Sequence, residues 1–238
     1  MSVNYMQAVD AAIVLDYKGE NQAVVKGLNK LKPPGMTRQI VTVDEFRNEW
    51  ARKFAGGGEF TDLTYGGNYV TGDTDGQDAL KRHWVNKTRL TGTDIMFFLN
   101  MDDFIATDLA NDPDSAIQIV EHDIGEADKN NVYSMNGKAV PNGRLATYIA
   151  HLIEGETPTT AFVQGSEGNP DTITDSGNGF VAAGFKAGMS LMIIGSTAND
   201  PINTLITEVA AGTLTLACSG EVTAGAGIEG QELHGGSI

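Results

Sequence analysis

Phe60-Thr61-Asp62-Leu63-Thr64-Tyr65-Gly66-Gly67-Asn68-Tyr69 is followed, five residues later, by Asp75-Gly76-Gln77-Asp78-Ala79-Leu80. The first stretch is rich in Thr and Gly, and Phe60, Leu63, Tyr65 and Tyr69 give it a strand-like apolar pattern. The second opens a helix over residues 75–85. Asp75 is placed to cap it, Asp78 sits early, and Lys81, Arg82 and Lys87 sit late, which complements the helix dipole. Leu80 and Trp84 form its apolar stripe.

Working outward, the same alternation of short apolar runs and polar breaks continues. Residues 11–15 and 23–25 are strand candidates. Residues 28–39 are Lys-rich, contain Pro33-Pro34-Gly35, and read as an exposed loop or a long hairpin arm. Residues 40–43 form a β-branched strand. Across residues 44–54, Phe46, Trp50 and Phe54 recur every four positions, a spacing that suits a helix and equally one face of a strand. Residues 95–99, 116–120 and 146–152 are strands, the last entered through the turn Pro141-Asn142-Gly143. The sum is a mainly β, antiparallel domain with one flanking helix.

Composition shifts near residue 158. The polar stretch Glu154-Gly155-Glu156-Thr157-Pro158 reads as a linker. It divides a domain at residues 1–157 from a second at 158–238, where Gly, Thr, Ala and Ser dominate. Residues 172–174, 189–194, 205–209 and 213–216 are strands of a small all-β barrel or sandwich. The closing His234-Gly235-Gly236-Ser237-Ile238 reads as a frayed tail. The second domain is expected to be peripheral, so that truncation after Glu156 leaves assembly intact.

Charge is unevenly distributed. The 238 residues hold 16 Lys+Arg against 31 Asp+Glu, a formal charge of −15. Residues 1–100 balance, residues 101–158 carry −8, and residues 159–238 carry −7. Residues 102–128 contain nine carboxylates and no Lys or Arg. Such a run is most often a solvated surface; the sharper reading is a wall that does not hold a polyanion. A DNA or RNA binder shows a basic footprint, and this chain shows the reverse. An apolar content of 41% excludes wholesale disorder. No window approaches the ~18 apolar residues of a membrane helix, and no signal peptide is read at the N-terminus.

No residue set for catalysis emerges. Gly225-Ala226-Gly227-Ile228-Glu229-Gly230 has the spelling of a dinucleotide loop, but no helix follows to meet a pyrophosphate. Asp73-Thr74-Asp75-Gly76 opens like a calcium loop and lacks the distal Glu. His83, His122, His151 and His234 show no zinc spacing. Glu121-His122-Asp123 places acids and base on opposite strand faces. Cys218, the single cysteine, continues an apolar strand and reads as buried filler. Neither a cofactor nor a metal site is expected, nor an enzyme.

Val43-Asp44-Glu45-Phe46, Gly58 through Tyr69, and Asp75-Gly76-Gln77-Asp78-Ala79-Leu80 together resemble the major tail tube protein of long-tailed phages. Asn131-Val132-Tyr133-Ser134-Met135-Asn136-Gly137-Lys138-Ala139-Val140 and Ala146-Thr147-Tyr148-Ile149-Ala150-His151-Leu152 resemble the closing strands of that fold. The likeness covers about residues 1–155; the C-terminal part is similar to small β domains appended to virion proteins. The resemblance implies a β-sandwich that closes into rings, usually of six, stacked as a hollow tube for genomic DNA. The implied partners are other copies of the chain, the tail terminator, tape-measure and tail-tip proteins, and double-stranded DNA in transit without binding. The implied place is the virion tail, after synthesis in the host cytoplasm, with no membrane insertion.

A carboxylate-lined lumen would repel phosphates and let DNA slide. The lumen candidates are Asp102, Asp103, Asp108, Glu121, Asp123 and Glu126. Lys30, Lys32, Arg38, Arg47 and Arg52 are the candidates for contacts between subunits and rings, and residues 28–39 for an arm reaching a neighbouring ring. Two other readings stay open: another head–tail component (terminator, completion or decoration protein), or a calcium-dependent surface binding module.

Overall fold

The computed structural model describes residues 11–43, 52–127, 132–166, 168–200 and 202–237. Its elements are β1 (Ala12–Leu15), β2 (Ala23–Val24), β3 (Leu28–Lys32), β4 (Met36–Val43), β5 (Arg52–Phe60), β6 (Leu63–Asn68), α1 (Gln77–Asn86), a 3-10 turn (Gly92–Asp94), β7 (Ile95–Phe98), β8 (Phe104–Thr107), β9 (Ala116–Ile124), β10 (Ser134–Asn142) and β11 (Leu145–Ile153). The C-terminal part adds β12 (Thr160–Val163), β13 (Thr172–Asp175), β14 (Ser190–Ile194), β15 (Ile202–Ala210), β16 (Thr213–Leu216), β17 (Gly225–Ala226) and β18 (Glu232–Ser237). Among the described residues the chain is mainly β, with antiparallel sheets and one α-helix, as the sequence pattern predicts.

A twelve-stranded sheet has the order β17-β12-β13-β16-β15-β14-β18-β11-β8-β7-β1-β2; a four-stranded sheet has the order β3-β6-β10-β9; β4 and β5 form a separate hairpin. The apolar runs of β1 and β7 are continuous rather than alternating because both faces of these strands are covered. Ile13, Leu15, Ile95 and Phe97 face a core shared with Leu63 and Tyr65 of β6, Leu80 of α1, and Ile117 and Ile119 of β9. Met96 points the other way and joins Phe104, Ala106, Ala146 and Tyr148 against Met192 and Ile194 of β14. β14 divides in the same manner, since Leu191 and Ile193 enter a third cluster with Phe162, Ile173, Phe180, Phe185, Leu214 and Leu233. Each such buried side chain contributes about 1.5–3 kcal/mol relative to exposure.

Several expectations need correction. β18 is no frayed tail: it lies between β11 and β14, paired to both, and His234, Gly235 and Gly236 are buried. Its two glycines, which suggest disorder in isolation, mark close approach. A side chain on Gly235 would overlap Phe185 and crowd Ala150, and one on Gly236 would overlap Tyr148 and crowd Ala146. Residues 28–32 are strand β3 rather than a loop; the arm is the β4–β5 hairpin. In residues 44–54, Phe54 lies in strand β5, which continues through the three glycines, while Phe46 and Trp50 lie outside the described residues. The helix is not capped by Asp75. Gly76 occupies the cap position, and the carboxylate of Asp73 accepts the Gln77 N–H at 2.9 Å. The strand β8 falls inside the acidic run, where charge masked its short apolar core.

Candidate assembly surface

The four-stranded sheet turns one face to the core and the other to solvent. Inward go Leu63 and Tyr65 on β6, and Met135 and Ala139 on β10. The alternate positions make cross-strand rows on the outer face. Lys32 pairs with Thr64, Thr64 with Lys138, and Lys138 with Glu121. One row along, Lys30 pairs with Gly66, Gly66 with Asn136, and Asn136 with Asp123. The β3 edge therefore carries lysines and the β9 edge carries carboxylates. Between them lies a concavity of about 580 Å³ bordered by Lys30, Lys32, Glu121 and Lys138.

One side chain sets the position of the basic edge. The Gln77 amide donates to the backbone oxygens of Lys26 (2.6 Å) and Asn68 (2.9 Å) and accepts from the Val70 N–H (3.0 Å). Beside it, Asp73 accepts the N–H groups of Lys26 and Gln77. A buried side-chain amide and carboxylate thus tie the helix start to the turn before β3 and to the end of β6, satisfying backbone groups that burial would otherwise leave unpaired. This gives the Gly76-Gln77 pair a physical reason. It also commits Asp73, the acid that began the calcium-like spelling, to backbone amides.

The outer margin of β9 is bridged at Ile117 by Leu90, through backbone hydrogen bonds of 2.9 and 2.8 Å, and beyond that bridge it is apolar as well as acidic. Val120 and Ile124 are exposed, as are Val132 and Tyr133 ahead of β10 and Trp84 and Val85 on α1. The indole of Trp84 donates to the Val120 carbonyl at 3.1 Å, joining the helix to this margin. Exposed apolar groups clustered at a sheet edge mark a contact surface more than singly scattered ones do.

The six candidate lumen acids separate. Glu121, Asp123 and Glu126 are exposed on β9 and just after it. Asp102 is exposed in the β7–β8 turn, which belongs to the twelve-stranded sheet, and Asp103 is half-buried against His151. Asp108 is not a lumen charge on this subunit: it is fully buried, accepts from Ser190 Oγ at 2.6 Å and Asn111 Nδ2 at 2.9 Å, and has the Arg144 guanidinium 3.5 Å away. Among the basic candidates, Lys30, Lys32 and Arg38 are exposed. Arg52 begins β5, and Arg47 lies outside the described residues.

The sequence reading missed Lys138, which pairs with Asp62. The hydrogen bond that Lys138 donates to Asp62 and the charge of that carboxylate push the Lys138 ammonium above its ordinary range, with burial opposing them and the charge of Glu121 adding a lesser push. Beneath it, burial and then the charge of Glu121 push the Tyr65 phenol up. Burial and Lys81 push His122 down, against Asp78 and Asp123. No spacing rule brings Asp62 to Lys138; only the β6–β10 ladder does.

Among the described residues, no group of His, Cys, Asp and Glu is arranged to hold a metal ion, and no helix is long and apolar enough to cross a membrane.

No protein-family model and no curated protein matches the chain. Solved structures do. The tail of an empty gene transfer agent particle, determined with C6 symmetry, is 15% identical, with 59% of this chain and 97% of that chain covered and a TM-score of 0.44. A chain of the native gene transfer agent virion is 14% identical over 60% of this chain and 98% of that one, TM-score 0.45. A chain of the six-fold symmetrised anti-feeding prophage baseplate is 12% identical over 61% and 97%, TM-score 0.42. Likenesses this distant do not decide function.

Proposed function

We propose that this chain is a structural, non-enzymatic subunit of a phage-like tail, closing with copies of itself into rings that stack around a lumen. The observation that carries the reading is the four-stranded sheet whose two outer strands carry opposite charge, Lys30 and Lys32 on β3 and Glu121 and Asp123 on β9, with the β9 margin beyond its Leu90–Ile117 bridge as the stretch a neighbour can pair.

Four antiparallel strands leave β3 and β9 running in opposite directions. Rotation about a tube axis preserves strand direction, so β9 of one copy meets β3 of the next in antiparallel sense, the pairing used throughout this fold. Closure of this kind removes both sheet edges. It also sets the lysines of one copy opposite the carboxylates of its neighbour, which fixes register and orientation.

In such a ring the outer face of the sheet lines the lumen. Its lysines each have a carboxylate at hand: Lys138 has Asp62 and Glu121, and Lys30 and Lys32 have the neighbour's β9. A phosphate backbone passing over paired lysines releases few counterions and is not held. The lumen is then charge-paired with an acidic excess rather than uniformly acidic. The β4–β5 hairpin, with exposed Arg38, is the arm that reaches an adjoining ring.

The test is imaging of the purified chain by negative-stain microscopy, with charge swaps. Rings or tubes are expected for the wild type. Lys30→Glu with Lys32→Glu should abolish them, and adding Glu121→Lys with Asp123→Lys should restore them. A strictly monomeric wild type, or a double swap that restores nothing while the single swaps remain folded, overturns the reading.

A further inference from the structure

Four side chains from distant parts of the sequence form an unbroken line where β18 enters the long sheet. His151 of β11 meets Asp103 of the β7–β8 turn through Nε2 at 3.2 Å, and meets His234 of β18 through a contact of 2.8 Å between the two Nδ1 atoms. His234 Nε2 lies 2.9 Å from a Glu232 carboxylate oxygen. At the far end Glu232 takes the Lys18 ammonium at 2.9 Å and the Tyr17 hydroxyl at 3.1 Å, both from the turn after β1. Phe104 packs against both imidazoles, and His234 and Glu232 are buried.

The contacts dictate a proton count. An ionised carboxylate only accepts, so each Nε2 carries a proton. The contact between the Nδ1 atoms is a hydrogen bond when one of the two, and not both, carries a proton. Three protons on four ring nitrogens make one imidazolium shared by two rings. With two protons, lone pairs face each other. With four, two N–H groups face each other and two cations lie side by side with Lys18 close by. The charges of the line, Asp103 and Glu232 against Lys18 and one imidazolium, then cancel.

We infer that one proton shared by His151 and His234 locks β18 between β11 and β14, and that a second proton, taken up at mildly acidic pH, opens the lock. Burial is the largest influence on His234 and resists its protonation; His151 and Lys18 add to that resistance, and Glu232 opposes it. The unfolded or detached strand has no such resistance and takes the proton more readily. Wherever the open state binds more protons, stability falls as pH falls. The loss therefore begins near the ordinary histidine value of about 6.5. Opening would bare the β11 and β14 edges, which become able to pair with a strand from another copy.

Hydrogen exchange of the full chain between about pH 5 and about pH 8 tests this, with amide protection corrected for intrinsic rates. Protection of residues 233–236, relative to β7 as internal reference, should fall below about pH 6.5 with a limiting slope of roughly tenfold per pH unit. In the double variant His151→Gln with His234→Gln, which removes both rings, the slope should vanish. A constant ratio in the wild type, or an unchanged slope in the variant, overturns the inference. Nitrogen-15 spectra of histidine-labelled wild type give a second readout independent of whether the variant folds. One imidazolium between the two rings is expected near neutral pH, and two neutral rings overturn the shared-proton lock.

Discussion

The ring of Tyr65 occupies the space above Gly137, its direct partner in the β6–β10 ladder: a methyl group built at position 137 would overlap the phenol carbon and the hydroxyl. A residue without a side chain is what lets Tyr65 lie across the neighbouring strand and bring its hydroxyl within 3.5 Å of His122 Nδ1. The aromatic in turn covers the backbone that glycine leaves bare. Gly137→Ala should therefore destabilise the chain by about 1–3 kcal/mol through overpacking, read as a lowered midpoint in denaturant unfolding with an unchanged slope.

Gln77 carries three backbone partners at once, so its truncation orphans more than it removes. Gln77→Ala leaves the Val70 N–H and the carbonyls of Lys26 and Asn68 without it. Each buried group left unpaired costs about 1–3 kcal/mol, and a total of roughly 2–4 kcal/mol is expected. Gln77→Glu should rescue little, because a carboxylate keeps the acceptor for Val70 and sets its other oxygen against two carbonyls. Thermal unfolding of both variants checks this ordering.

Truncation after Glu156 is expected to fail, contrary to the peripheral role that composition suggests for the C-terminal part. It would strip β18 from β11 and uncover Met96, Phe104 and Tyr148, which Met192 and Ile194 help to bury. Insoluble or dye-binding product is the expected outcome, assessed by size exclusion and hydrophobic-dye fluorescence. A soluble, monodisperse fragment would show that the N-terminal core closes without these strands.

Asp171 provides a pH marker inside the C-terminal part. Burial works against its ionisation, but the backbone N–H groups of Val222, Gly165 and Gly220 and the Cys218 thiol outweigh burial and hold the carboxyl at about 2. With a folded value depressed below the unfolded one, its stabilising contribution is full above roughly pH 4 and is lost as pH falls toward 2. Asp171→Asn should be less stable than wild type near neutrality, with the gap closing as pH falls through that window. Unfolding curves of the two proteins at matched pH values measure it.

The fold class was legible because it is written in local pattern: short apolar runs, turn residues, and one helix with charges sorted along it. The charged margins were legible in part, since Lys30, Lys32, Glu121 and Asp123 stand out by type, while which of them share a face depends on ladder register. Asp108 looked like its exposed neighbours, because a buried carboxylate is recognised by Ser190, a partner supplied from the other end of the chain. His151 and His234 lie 83 residues apart and have no spacing to reveal them. The helix start departs from the sequence pattern for a local reason: Gly76 takes the cap position beside Asp75, and the carboxylate with the reach to the Gln77 N–H is that of Asp73.

The insertion of β18 also sets an order of events. β11 cannot complete its ladder until a segment some eighty residues later has been made and has found its slot between two strands. Its loop-closure entropy must be spent before any of its contacts form. The first core, built from residues 13 to 145, has no such wait. The chain should therefore fold in two phases, a quick sandwich and a slow zippering of the seam, and in the interval β11 stands as an open strand edge beside the ribosome.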